Sequence, residues 1–125
     1  MSSILLSVKP EYVEKILKGD KKYEFRKRIA VKDVQYIYLY STAPVMKVVA
    51  KVEVIGTLQA SPIDLWEKTK EAAGISRKKY RAYFQKCKKA YAYILGNVSK
   101  YNVPKTLDEF GVCSPPQSFV YIDGE

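Results

Sequence analysis

Apolar and polar residues alternate with two periods along this chain, and these periods predict its strands and helices. Residues 4–8 form an apolar run typical of a buried strand, and residues 23–28 alternate with a period of two, as a strand with one buried face does. Between them, residues 10–18 follow a helical period that begins at a proline and ends before Gly19. The chain is therefore predicted to open as strand, helix, strand.

The rest of the chain repeats these patterns. They predict further strands over residues 36–40, 45–58, 90–95 and 118–122, and helices over residues 61–73 and 76–89. Ser61 and Ser76 can cap the first turns of the two helices. Helices inserted between strands without a regular βαβ order indicate an α+β fold with a small, mostly antiparallel sheet. The length of 125 residues predicts a single domain spanning residues 1–125.

The composition gives the chain a strong positive charge and excludes catalysis by histidine. The formal net charge is +9, and cations are dense in residues 18–32 and 77–89. Such clusters favour an acidic partner, of which nucleic acid is the commonest, and the alternative is a role in solubility alone. The chain has no histidine, and its two cysteines lie far apart in sequence. Imidazole catalysis is thereby excluded, and we expect no metal site and no cofactor.

The distribution of apolar residues also indicates whether the sequence contains a membrane-spanning helix or a signal peptide. The sequence has no apolar run of about 18 residues, the length that would suggest a membrane-spanning helix. The first residues lack the basic and long apolar segments of a signal peptide. We therefore expect a cytoplasmic, monomeric protein that does not contact a membrane.

Residues 19–26 join the first helix to the second strand and carry the best candidate for a functional site. Lys22, Glu24 and Arg26 share one face of the predicted strand, whereas Tyr23 and Phe25 share the other. Charges of both signs on one strand face can form an ion-pair ladder, or they can line a cleft for a polar planar ligand such as a nucleobase. The spacing leaves both interpretations open.

The same segment carries a resemblance to a known family. The pattern Gly-x-Lys-x-x-Glu-x-Arg, here Gly19, Lys21, Glu24 and Arg26, resembles the signature of the ASCH domain family, a branch of the PUA-like superfamily. Residues 4–10 and 115–119 also resemble other members, so the resemblance covers nearly the whole chain. It implies a PUA-like β-barrel with inserted helices, in which the first helix, the signature strand and the inserted helices frame one cleft.

The favoured function is nucleic-acid binding, most of all to single-stranded RNA, with a cleft for a nucleobase or nucleotide. Such recognition stacks bases on aromatic or guanidinium planes, hydrogen-bonds their edges and holds phosphates with cations. The candidate contact residues are Lys21, Lys22, Glu24, Arg26, Arg28, Ser41, Thr42, Trp66, Lys78, Arg81 and Lys88. Simpler interpretations stay open: Trp66, Tyr23 and Phe25 have the periods of core residues, and residues 77–89 can be a solvated helix face.

Enzymatic activity is the alternative that the family implies, and a protein-interaction role is the third. Some ASCH proteins are amidohydrolases that remove the acetyl group of N4-acetylcytidine with a lysine, a threonine and a glutamate, and others are implicated in RNA cleavage. Lys21 matches the lysine, Glu71 falls on the glutamate, and Glu24 stands where the threonine is expected. These three residues are the catalytic candidates. Hydrolysis requires burial to lower the pKa of Lys21 toward about 7 or 8, whereas nearby carboxylates keep it protonated.

Overall fold

In the computed structural model, which describes residues 2–123, the strands form one sheet and the helices lie between them in sequence. The strands are β1 (Ser2–Val8), β2 (Tyr23–Arg26), β3 (Val34–Ser41), β4 (Lys47–Ala60), β5 (Ala90–Lys105) and β6 (Phe119–Ile122). The α-helices are α1 (Pro10–Lys18), α2 (Pro62–Thr69) and α3 (Arg77–Tyr83), and short 3₁₀ turns cover Lys70–Ala72 and Leu107–Phe110.

The sheet has the order β2-β5-β4-β3-β1-β6. Its pairs are antiparallel except β1 and β3, which run parallel. The predicted α+β class and the mostly antiparallel sheet are therefore confirmed. The edge strands β2 and β6 are not paired with each other among residues 2–123, so the sheet is not closed by hydrogen bonds and the barrel stays a prediction.

The helix boundaries follow the predicted caps. Pro10 is the first residue of α1, and Gly19 ends the helix with a left-handed φ of 84°. The Ser61 and Ser76 hydroxyls accept hydrogen bonds from the backbone N–H groups of Asp64 and Lys79, each at 3.2 Å. Each hydroxyl satisfies a backbone donor that has no partner inside the helix.

Several predicted boundaries were wrong. The helix expected over residues 61–73 ends at Thr69 and is followed by the 3₁₀ turn, and the strand expected over residues 23–28 ends at Arg26. The basic helix expected over residues 76–89 ends at Tyr83, and Lys86 turns the chain with a φ of 66°, a backbone conformation that no helix continues through. Strand β5 extends through Lys105 rather than stopping near Leu95, and its second half pairs with β4. That second half is mostly exposed, so it lacks the alternation of buried and exposed residues that marks a strand in sequence.

Two apolar clusters fix the helices on the sheet. One packs Val13 and Ile16 of α1 against the buried faces of β1 and β3. The other packs Leu65 of α2 and Tyr80 of α3 against Phe25 of β2. Residues of α1, β2 and α3 together line one cleft of the molecule. In the described part of the chain, no helix combines the length and the apolar character that a membrane span needs.

Candidate functional site

The residues of the signature converge on one cleft of about 560 Å³. The end of β1, the start of α1, strand β2 and helix α3 each contribute side chains to it. We call it the Lys21 cleft, and its lining includes Ser7, Glu11, Tyr12, Lys21, Glu24, Phe25, Arg26, Ile75, Lys79 and Tyr83.

Lys21 lies buried in this cleft, with 4% of its surface exposed. Its ammonium Nζ donates a hydrogen bond of 2.8 Å to the carbonyl of Ala73. The same nitrogen lies 4.8 Å from the ring centroid of Phe25 and 5.3 Å from that of Tyr12, within the range of cation–π attraction. The lysine head is therefore held by one carbonyl and two aromatic rings.

Burial changes the acidity of this lysine. Desolvation lowers the pKa of Lys21 to about 8, because a charged ammonium loses hydration in the cleft. The carboxylate of Glu24 acts in the opposite direction, and the positive charges of Lys15 and Arg26 add to the lowering. At pH 7 about a tenth of the molecules therefore carry a neutral Lys21 amine. The same side chain can therefore bind an anionic ligand when it is protonated and accept a proton when it is neutral.

A glycine makes room for Lys21. Gly74 has a φ of 64°, and a Cβ built there would collide with the side-chain Cβ of Lys21. The carbonyl of Gly74 accepts a hydrogen bond of 3.3 Å from Lys15 Nζ, and the carbonyl of Ala72 accepts one of 2.9 Å from the backbone of Lys22. The segment after α2 is thus tied to the signature loop, and a larger residue at position 74 would displace Lys21.

Glu24 and Arg26 form an ion pair at the edge of the cleft. Arg26 Nε and Nη2 both lie 3.0 Å from Glu24 Oε2, and the two side chains are 14% and 8% exposed for Arg26 and Glu24 respectively. Arg26 Nη2 also donates 2.8 Å to the carbonyl of Ser7. The pair therefore joins β2 to the end of β1 and at the same time lines the cleft, so the ladder and the cleft interpretations describe the same two residues.

Sequence reasoning missed six polar side chains of the cleft: Ser7, Lys9, Glu11, Tyr12, Lys79 and Tyr83. Tyr12 and Tyr83 occupy apolar-looking positions of helices α1 and α3, so the sequence marks them as packing residues. Burial is the main factor that raises the pKa of each of these two phenols, and both stay neutral at physiological pH. Lys79 lies 3.4 Å from the carboxylate of Glu11, across the mouth of the cleft.

Other predicted site residues lie outside the Lys21 cleft. Lys22, Arg28, Glu71 and Lys78 are exposed, and Glu71 lies on the 3₁₀ turn that precedes Ala73. Ser41 is buried and lines a separate cavity of about 270 Å³ beside α1, and Thr42 is half-buried after β3. A further groove, of about 540 Å³, contains Trp66, Arg81 and Lys88.

Within residues 2–123, no group of three or more His, Cys, Asp or Glu side chains is placed to hold a metal ion. The cleft itself contains lysine, carboxylate, guanidinium and hydroxyl groups.

Comparison with known proteins places this architecture in a family. The chain matches the ASCH domain model over residues 6–104, and it therefore belongs to the ASCH domain family. The similarity to other members was expected from Gly19, Lys21, Glu24 and Arg26, and the family assignment is confirmed.

Relatives and solved structures agree with this assignment. The chain is 29% identical, over 97% of its length and 84% of the relative's, to a protein of Zymomonas mobilis named ASCH domain-containing ribonuclease. The crystal structure of ASCH from Zymomonas mobilis superposes with a TM-score of 0.87 at 30% identity, covering 95% of this chain and 86% of that one. The chain is also 31% identical, over 96% of its length, to a Ureaplasma parvum protein named ATP synthase subunit alpha, of which it spans 15%.

Proposed function

We propose that this chain binds single-stranded RNA and holds one nucleotide in the Lys21 cleft. The observation that carries the proposal is the buried Lys21 ammonium, which lies near two aromatic rings in a cleft of about 560 Å³ that the Glu24–Arg26 ion pair also lines. The net charge of +9 and the name of the Zymomonas mobilis relative, a ribonuclease, support an RNA partner.

The polar groups of the cleft match those of a nucleotide. Lys21 uses one of its three ammonium protons on Ala73, and a phosphate or base oxygen can accept another. The Glu24 carboxylate can accept from an exocyclic amine, and Arg26 can donate to a base edge or stack on its plane. Tyr12 and Tyr83 offer ring surface for the base. The cleft thus supplies cation, acceptor, donor and aromatic surface together.

The exposed cations supply the remaining contacts. Lys22 and Arg28 flank β2 in sequence, Lys78 lies on α3, and all three are exposed. We propose that they hold phosphates of the strand. Phosphate contacts release counterions, so the logarithm of the affinity should fall with the logarithm of salt concentration by about 0.7 per contact.

Fluorescence anisotropy with a labelled single-stranded RNA tests this proposal. Lys21→Met should weaken binding about tenfold or more, because a hydrogen bond to a charged group is lost. Arg26→Ala should change which base is preferred. Lys100→Gln is the matched control, since Lys100 is exposed on β5 and lies outside the Lys21 cleft. Affinity that is flat between low and physiological salt, or equal in the wild type and in Lys21→Met, contradicts the proposal.

RNA cleavage in the same cleft is a second candidate, favoured by the lowered pKa of Lys21. With its pKa near 8, the neutral amine can take the proton of an RNA 2′-hydroxyl at physiological pH. The 2′-oxygen then attacks the adjacent phosphorus, the bond from phosphorus to the 5′-oxygen breaks, and the leaving oxygen takes a proton from solvent. The products are a 2′,3′-cyclic phosphate and a free 5′-hydroxyl.

A substrate with one 2′-deoxynucleotide separates cleavage from binding. Cleavage should stop at the deoxy position while binding persists, and the rate should rise with pH through about 8 and level off above it, as Lys21 loses its proton. Cleavage that continues at the deoxy position, or a rate that is unchanged in Lys21→Met, contradicts a role for Lys21 as the base.

The geometry supports RNA cleavage better than deacetylation of N4-acetylcytidine. In this chain the carboxylate of Glu24 occupies the position of the family threonine and is held by Arg26 at 3.0 Å. Acyl transfer needs a nucleophile beside the base, and a carboxylate engaged by a guanidinium is a poor substitute for an activated hydroxyl. We therefore propose that the natural chain releases cytidine from N4-acetylcytidine slowly or not at all.

A further inference from the structure

Helix α3 forms a wall of two separate cavities. Its Lys79, Ala82 and Tyr83 line the Lys21 cleft. Its Arg77, Tyr80 and Arg81 line the other groove, of about 540 Å³. Residues three and four apart share a helix face, so the two sets belong to different faces of the same short helix.

This second groove has an aromatic floor and a cationic rim. We call it the Trp66 groove and define it by Trp66, Tyr80, Phe84, Arg77, Arg81 and Lys88. The ring centroids of Trp66 and Tyr80 lie 4.8 Å apart, and those of Tyr80 and Phe84 lie 4.9 Å apart. Tyr80 and Phe84 are each 2% exposed, whereas Trp66 keeps part of its surface accessible. Trp66 is therefore the aromatic residue of the floor that a ligand can reach.

The charges around the groove favour an anionic occupant. Arg77, Arg81 and Lys88 are exposed at its rim. The carboxylate that also lines the groove, Glu67, is paired with Lys70 at 2.7 Å. An accessible indole next to three cations combines a stacking surface with phosphate-binding groups, the two elements that single-stranded nucleic acid requires.

We propose that the Trp66 groove is a second base-binding site for the strand that enters the Lys21 cleft. This inference rests on the proposed RNA-binding function. One strand crosses α3, with one nucleotide in the Lys21 cleft, another stacked on Trp66, and the intervening phosphates near Arg77, Arg81 and Lys88. Binding at one site then raises the effective concentration of the strand at the other. The loss of either site therefore weakens the whole complex.

The chain offers a direct probe, because Trp66 is its only tryptophan. Unlabelled single-stranded RNA of about ten nucleotides, within the site sizes known for such binding, is titrated into the full chain while the fluorescence of Trp66 is followed. We expect quenching that saturates at the same RNA concentration as the anisotropy of a labelled strand. Inorganic polyphosphate, which has no bases, should leave the fluorescence nearly unchanged.

Variants test the link between the two sites. Trp66→Leu should weaken binding about 5- to 150-fold, the range for loss of one stacked base. Trp66→Phe keeps a ring and should stay close to wild type, and a thermal melt of each variant shows whether packing on Tyr80 is preserved. Lys21→Met should move the Trp66 quenching curve to higher RNA concentration, whereas Lys100→Gln should leave it in place.

The outcomes separate this inference from the function on which it rests. If no RNA binds by anisotropy, the proposed function fails. If RNA binds but Trp66 is not quenched and Trp66→Leu retains affinity, the second site alone is refuted. A groove that served a protein partner instead of RNA would give this result. Equal quenching by polyphosphate refutes base stacking. A quenching curve that Lys21→Met does not shift shows that the two sites do not share a strand.

Discussion

The buried charge of Lys21 should impose a measurable cost on folding that depends on pH. Its pKa falls from 10.5 to about 8 in the folded chain. At about 1.4 kcal/mol for each pH unit, this difference corresponds to about 3 kcal/mol of unfavourable free energy when the lysine is protonated. The side chain is only 4% exposed, so solvent screening removes little of this cost.

The direction of the pH dependence follows from proton binding. Below pH 8 both the folded and the unfolded chain hold the proton, and the full cost is present. Between pH 8 and 10.5 the unfolded chain binds more protons than the folded one, so the folded state becomes more stable as pH rises. Lys21→Met has no proton to bind at this position. Wild type should therefore gain about 3 kcal/mol relative to Lys21→Met across this window.

Urea unfolding of both proteins at several pH values between 7 and 10.5 measures this gain. Tyrosines that titrate in the same range affect both proteins alike, so the difference between the two curves isolates Lys21. Lys22→Met is the matched control for removal of a positive charge, because Lys22 is the exposed neighbour on the same segment. A flat difference between wild type and Lys21→Met would refute the argument that burial lowers the pKa of Lys21.

Three further predictions concern the site and its surroundings. Gly74→Ala should destabilise the chain by about 2–5 kcal/mol in a thermal melt, through left-handed strain and overpacking against Lys21, whereas Gly111→Ala, with φ of 72° but open space around it, should cost only about 1–2 kcal/mol. Glu71→Gln should leave RNA affinity within about twofold of wild type in an anisotropy titration, because Glu71 is exposed and outside the cleft. A large loss of affinity would show that Glu71 belongs to the binding site. Replacing Lys78, Arg81 and Lys88 together with Gln should reduce the salt slope by about 2, and an unchanged slope would remove these cations from the interface.

The local elements could be predicted from the sequence because their signals are local. Pro10, Gly19, Ser61 and Ser76 mark helix ends by their backbone and capping chemistry, and the structure has helix boundaries at all four. The length of β5 could not be predicted, because its second half is a paired but exposed strand. Strand pairing depends on a distant partner, β4, and leaves no pattern in an exposed segment.

The candidate site was only partly predictable for a similar reason. Lys21, Glu24 and Arg26 are close in sequence, so a motif can identify them together. Tyr12 and Tyr83 come from α1 and α3, more than 50 positions apart in sequence, and only the packing of both helices beside β2 brings them to one cleft. The roles proposed for Ser41 and Thr42 assumed a shared cleft, but Ser41 lines a different cavity.

The pKa of Lys21, measured by NMR on its side-chain Cε with and without saturating single-stranded RNA, tests the central claim most directly. The account predicts a value of about 8 in the free chain and a higher value in the complex, because an anionic or carbonyl oxygen in the cleft stabilises the ammonium. By linkage, the RNA affinity should then fall as the pH rises through 8. An unchanged pKa of Lys21 in a complex that is fully formed would show that the RNA binds elsewhere, and the account would be wrong.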